Sequence, residues 1–273
     1  MGEFEFLRFI TIGQYLPTGS VIHRLDPRAR LLGGLLLLAA ITAASRWTGL
    51  ALALVVLYGL LRLARISPGY ALQGLLAPLP FILFLALLQL LFGPEAGSSP
   101  VLIAVGPVRI STADLLHALI LILRFAGLVL GISLLSFCIA TTELVHSLEA
   151  LLRPLTALGL PTHDLVLMIQ VSLRFLPLAA QEAERIAKAQ ASRGADWGTG
   201  RGGLLRRVRQ VLPILVPLFL TSLHRAENLA LAMEARGYAG GKGRTSMVRL
   251  HFHPQDAWAL ILITALALAI VLL

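Results

Sequence analysis

LLGGLLLLAAITAA, residues Leu31–Ala44, is an apolar run, and with its lead-in from Arg28 it approaches the roughly 20 residues needed to cross about 30 Å of hydrocarbon. Asp26-Pro27 just upstream suits an N-cap followed by proline at the first helical position, so a helix is expected to begin there. Comparable runs follow at Gly49–Leu63, about Leu75–Phe92, Asp114 to about Ile139, and Ala257–Leu273. Pro68 and Gly69 break the pattern ahead of the third run, which tolerates Pro78 and Pro80 near its start or as a kink. Gly93–Ser111 reads as a Gly/Pro/Ser-rich loop with a short extended piece at Val101–Val105. The chain of 273 residues is 57% hydrophobic and 14% charged, with a mean hydropathy of +0.84. That balance excludes an ordinary soluble domain. The expected fold is an all-α integral membrane protein with about five transmembrane helices and a cytoplasmic coupling domain of crossing amphipathic helices. Its parts are residues 1–139 with four spans, 140–256 as the coupling domain, and 257–273 as the last span.

The net charge of +9 fits basic loops of a membrane protein better than a nucleic-acid surface, because aromatic residues do not interleave with the basic clusters. Residues 140–256 hold fourteen Lys/Arg against nine Asp/Glu, whereas the Gly93–Ala113 loop holds one of each. The positive-inside rule therefore assigns the long segment to the cytoplasm. Arg24, Arg28, Arg30, Arg62 and Arg65 agree, and Arg46 alone goes against it. The N-terminus is then inside and the C-terminus outside. Met1–Phe6 carries Glu3 and Glu5 rather than a basic n-region, so no signal peptide is expected. A lone Cys138 provides neither a disulfide nor a cysteine-based zinc site.

Within the basic segment, Thr141–Leu152 is a helix stopped by Pro154, and Gly159-Leu160-Pro161-Thr162 opens the next. There Ala179, Ala183, Ala187 and Ala191 recur every four residues, a ridge of small side chains that lets another helix cross closely. Phe219, Ser222, Ala226, Leu229 and Met233 follow at spacings of four and three, the pattern of a facing seam. Each helical pattern runs into one signature, Ala191-Ser192-Arg193-Gly194 and Glu234-Ala235-Arg236-Gly237. Glycine takes the left-handed C′ conformation without steric cost, so Gly194 and Gly237 mark helix ends with an arginine in each last turn. One such arginine ordinarily serves its own helix dipole. Two matched copies read as a repeated docking device.

Other signals fail their context. Gly198–Gly203 matches GxGxxG but follows a helix rather than a strand, and a basic linker is the simpler reading, with Arg206, Arg207 and Arg209 near anionic lipid. Gly240-Gly241-Lys242-Gly243 resembles a P-loop, yet Arg236 holds the first glycine position and Gly243 stands where Ser or Thr is required. His251 and His253 lack a third metal ligand. Asp114, His117 and Arg124 sit in the fourth run, where ionisable residues are candidates for intramembrane catalysis, although a polar mouth with Arg124 packed against other helices explains them equally. A secondary transporter is disfavoured, since no inverted repeat is visible and polar residues do not gather at broken helices.

Several motifs in fixed order carry a family likeness: Ile10-Thr11-Ile12-Gly13-Gln14-Tyr15, His23-Arg24-Leu25-Asp26-Pro27-Arg28, Thr141-Thr142-Glu143, Arg153-Pro154-Leu155, Leu158-Gly159-Leu160-Pro161, Leu173-Arg174-Phe175-Leu176-Pro177 and the two Arg-Gly endings. Together they resemble the transmembrane T component of energy-coupling factor (ECF) transporters, over nearly the whole chain. The first ending, Ala-Ser-Arg-Gly, departs from the family's Ala-Arg-Gly but keeps the arginine and glycine. The resemblance implies a multi-pass protein of a prokaryotic cell membrane, without catalytic residues or cofactor of its own. Its implied partners are two ATP-binding cassette subunits, which hold ATP and Mg²⁺, and a small substrate-binding membrane subunit (S component). Arg193 and Arg236 would each dock in one ATPase. The opening motif looks closer to T components shared among several vitamin-binding subunits than to those dedicated to cobalt or biotin.

Overall fold

The computed structural model of the chain describes residues 15–92, 101–105, 108–152, 154, 162–194, 204–238, 240 and 251–273. Its elements run α1 (Val21–Arg24), α2 (Pro27–Ala43), α3 (Trp47–Leu63), α4 (Pro68–Leu76), α5 (Leu79–Phe92), β1 (Val101–Val105), β2 (Val108–Ser111), α6 (Thr112–Cys138), α7 (Thr141–Leu152), α8 (Thr162–Ser192), α9 (Leu204–Ala235) and α10 (Pro254–Leu272). The fold is that of an all-α membrane protein, decorated by one antiparallel hairpin in which the extended piece at Val101–Val105 pairs with Val108–Ser111.

Local chemistry sets several helix ends. Asp26 Oδ1 accepts from the Arg28 N–H at 2.8 Å and Pro27 occupies the first turn of α2, as the sequence predicts. Ser111 and Asp114 form a reciprocal capping box at the start of α6. Pro68 lies in the break after α3 and opens α4, and the kink allowed at Pro78 and Pro80 divides the third run into α4 and α5, bent by 63°. Pro78 has no N–H to bond to the Gly74 carbonyl, so α4 stops at Leu76, and Pro80 likewise leaves the Leu76 carbonyl without its helical donor. No charged residue lies between Pro68 and Phe92, so this broken span offers no ionic site.

Among the described residues, α6, α8 and α10 are each long and apolar enough to cross a membrane, and the bent α4–α5 pair adds a fourth crossing if taken as one. The 17-residue helices α2 and α3 are shorter, about 25 Å each at 1.5 Å per residue.

The chain divides into two compact units, one of Gly13–Leu148 with Val248–Leu273 and the other of Met1–Ile12 with Glu149–Met247. In the first, α2, α3, α6 and α10 enclose a core including Leu37, Ile41, Leu50, Leu57, Phe137 and Ile270. Close approach is part of that packing: a Cβ at Gly49 of α3 would collide with the Ile270 carbonyl oxygen of α10. Polar groups lock one end of the same unit. Asp256 Oδ1 accepts the Asp26 N–H at 2.8 Å while its Oδ2 caps His253, joining the starts of α2 and α10.

Candidate functional site: two arginine-bearing helix ends

In the second unit, α8 and α9 cross in opposite directions. Arg225 of α9 pairs with Glu182 of α8 at 3.3 Å, and further along α8 the Gln190 side chain donates to the Pro213 carbonyl at 3.4 Å. Pro217 explains the second contact. Lacking an N–H, it leaves the carbonyl four residues before it unsatisfied, and Gln190 fills the vacancy. At the far end of α9 the Tyr238 hydroxyl donates to Asp164 in the first turn of α8, at 3.4 Å. The Arg236 end of α9 therefore lies by the start of α8, while Arg193 lies beyond its finish. At 1.5 Å per residue, the helix from Asp164 to Arg193 separates these ends by roughly 40 Å, less the shortening from Pro177.

Both ends have the geometry their sequences predict. Gly237 has φ +74°, its N–H bonds to the Glu234 carbonyl at 2.9 Å, and the Tyr238 N–H reaches back to Met233 at 3.0 Å. This is a Schellman motif with Arg236 at the C-cap. Gly194 has φ +82°, with its N–H on the Ala191 carbonyl at 3.0 Å and Arg193 N–H on Gln190 at 3.1 Å. Arg193 and Arg236 are exposed, as are Ser192, Gly194, Ala235 and Gly237, and Ala191 is half-buried. Neither arginine has an acidic partner among the described residues.

The alanine ridge faces inward: Ala187 is fully buried and Ala179 and Ala183 are half-buried. The opposing seam needs correction within this chain. Leu229 and Met233 are half-buried, but Phe219, Ser222 and Ala226 are exposed. The covered side instead runs through Ile214, Leu218, Thr221 and Arg225 before reaching them. A helix apolar over much of its circumference offers more than one stripe at spacings of three and four, and Arg225 on Glu182 selects the one that faces α8.

The ionisable residues of the fourth run are apart in role. Asp114 is spent on the Ser111 N–H in the capping box, and Arg124 donates to the Ala44 carbonyl at 2.6 Å. His117 faces a cleft beside Arg46. Asp114 and Arg124 are thus each engaged by a backbone group of their own surroundings. The strongest polar contact was not legible as such: Arg30, its side chain 3% exposed, donates to the Cys138 carbonyl at 2.5 Å and pairs with Glu143 at 3.1 Å. Glu143 also accepts the Ala140 N–H at 3.3 Å, so it caps α7 and anchors it to α2 at once. Glu143 belonged to the Thr-Thr-Glu motif already singled out, but Arg30 lies two residues beyond Asp-Pro-Arg and was noted only for its charge, and no spacing rule connects the two.

His253 caps α10 and directs Nδ1 at the His251 carbonyl, 2.9 Å away, and no group of three metal-binding side chains occurs among the described residues. The Gly198–Gly203 and Gly241–Gly243 stretches, residues 10–14, Arg153 and 155–161 lie outside the described residues, as do the side chains of Arg206, Arg207 and Arg209.

The profile of the cobalt transport protein family, CbiQ, matches residues 18–247. The energy-coupling factor transporter transmembrane protein EcfT of Thermosediminibacter oceani is 38% identical over 255 residues, 93% of this chain and 94% of that protein. The EcfT proteins of Lactococcus lactis subsp. cremoris and Bacillus subtilis are 37% and 36% identical, and the alignments span 96% and 94% of this chain and 96% and 95% of theirs. Likeness of this extent, on a chain with the expected apolar helices and paired Arg-Gly ends, places it plainly: it belongs to the CbiQ/EcfT family of transmembrane proteins of energy-coupling factor transporters.

Proposed function

We propose that this chain is the non-catalytic scaffold that couples ATP hydrolysis by two partner ATPases to vitamin or micronutrient uptake through a small membrane S component. The observation that carries the proposal is the antiparallel α8–α9 pair, which presents one exposed arginine at each end on a backbone fixed by a left-handed glycine. Two such anchors roughly 40 Å apart suit two copies of one ATPase fold better than a single small ligand. Closure of the ATPases would change the separation of their docking grooves, and rigid helices would carry that change to the S component. ATP and Mg²⁺ would be held by the ATPases. The unit of α8 and α9 would lie on the cytoplasmic side, in agreement with its excess of Lys and Arg. The Ile10–Tyr15 opening supports a scaffold shared among several S components.

An affinity pull-down of the tagged chain from native membranes in mild detergent tests this reading. Recovery of two P-loop ATPases with several small hydrophobic proteins is expected. A single S component would replace the shared scaffold by a dedicated one, and recovery of the folded chain alone would refute the coupling role.

A further inference from the structure

The turn from α2 to α3 and the first turns of α6 enclose a cleft of about 450 Å³ that the coupling role leaves unused. Ser45, Arg46, Trp47 and Thr48 line one wall, and Leu116 and His117 lie on the other. Among the described residues its lining contains two groups able to bear positive charge, Arg46 and His117, and no carboxylate; nearby Asp114 is buried and one of its oxygens accepts the Ser111 N–H. Arg46 is exposed and makes no side-chain cap on α3, and the first helical bond runs from Leu50 N–H to the Arg46 carbonyl. The amides of Trp47 and Thr48 thus have no acceptor within the helix. The Thr48 hydroxyl donates to the Leu273 main-chain oxygen at 2.6 Å and the Ser45 hydroxyl to the Ala43 carbonyl at 3.5 Å, which leaves Arg46 and His117 as the cationic groups of the lining.

The surroundings say what kind of anion fits. A turn between two membrane helices lies at the depth of lipid headgroups, and Trp47, 50% exposed, is a residue favoured at that level. Leu116 in the lining and Leu119, one turn along α6, present exposed apolar surface, along which an acyl chain can lie. Free phosphate would use the cationic groups but not this flank. We propose that the cleft between the α2–α3 turn and α6 binds the phosphate of an anionic phospholipid, held by Arg46 and His117 with its acyl chains against α6. The site also accounts for the one arginine that runs against the positive-inside distribution.

The test uses the full-length chain in mild detergent, titrated with phosphatidylglycerol or with phosphatidylcholine of the same acyl chains and followed by native mass spectrometry. One tightly held phosphatidylglycerol is expected, in preference to phosphatidylcholine. Arg46→Gln should weaken it about fivefold and Arg46→Gln with His117→Gln further, while Arg46→Lys keeps most of the binding. Arg46 is exposed, so these variants fold, as an unchanged elution profile would verify. Equal retention of phosphatidylglycerol by the double variant overturns the site. Equal binding of phosphatidylcholine overturns the anionic preference, and displacement by millimolar inorganic phosphate would make it a site for free anions instead.

Discussion

The membrane unit buries several of its charged groups against internal partners, whereas the crossed helices carry theirs at the surface. Asp26, Arg30, Asp114 and Asp256 are all buried in the first, each with a named backbone or side-chain partner. In α8 only Thr162, Val166 and Ala187 are buried, and every described side chain of α9 is partly or fully exposed, Phe219 at 65%. The same chain therefore contains one region whose polar partners are internal and another whose surfaces await something outside it. Under the proposed function, that outside is lipid, the ATPases and the S component.

Substitutions that disturb this contrast should differ in size and place. Arg30→Met leaves Glu143 without its cation and the Cys138 carbonyl without its donor, and should cost about 3 kcal/mol, read as a lowered melting temperature in detergent. Arg193→Ala, exposed and without an acidic partner among the described residues, should melt within about 0.5 kcal/mol of the parent. If the two variants melt alike, the contrast is wrong. Gly49→Ala drives a methyl into the Ile270 carbonyl, where backbone must give way, and a loss of about 1–3 kcal/mol is expected in the same assay. Gly237→Ala places a side chain at φ +74° for about 1–2 kcal/mol, confined to the end of α9. Hydrogen exchange should then quicken at the Tyr238 amide while the membrane unit melts unchanged.

Features set by neighbours in sequence were legible. Asp26-Pro27 announces the start of α2, the left-handed glycines announce the ends of α8 and α9, and the four-residue alanine period announces the inward face of α8. What failed depended on comparing forces or on distance along the chain. Pro68 marks the break before the third run and also opens α4 as a first-turn proline, while how far the chain bends at Pro78 was not set by the local sequence. The seam of α9 was ambiguous because hydrophobicity does not distinguish its stripes, and the choice comes from Glu182 on another helix. Arg30 and Glu143 meet only once α2, α6 and α7 have packed. For the arginines themselves, the sequence supplied position and helix-end geometry, and under the proposed function their partners belong to other chains.

The most direct test of the account is Arg193→Glu with Arg236→Glu, expressed with the partner subunits and assayed for both ATPase retention and ATP-driven uptake. If each arginine forms a desolvated ion pair, losing it costs about 2–5 kcal/mol of binding and reversal costs more. The expected result is a folded, membrane-inserted chain that no longer retains the ATPases or supports uptake. A variant that keeps both ATPases and transports at the parental rate would contradict the claim that these two helix ends are the docking points.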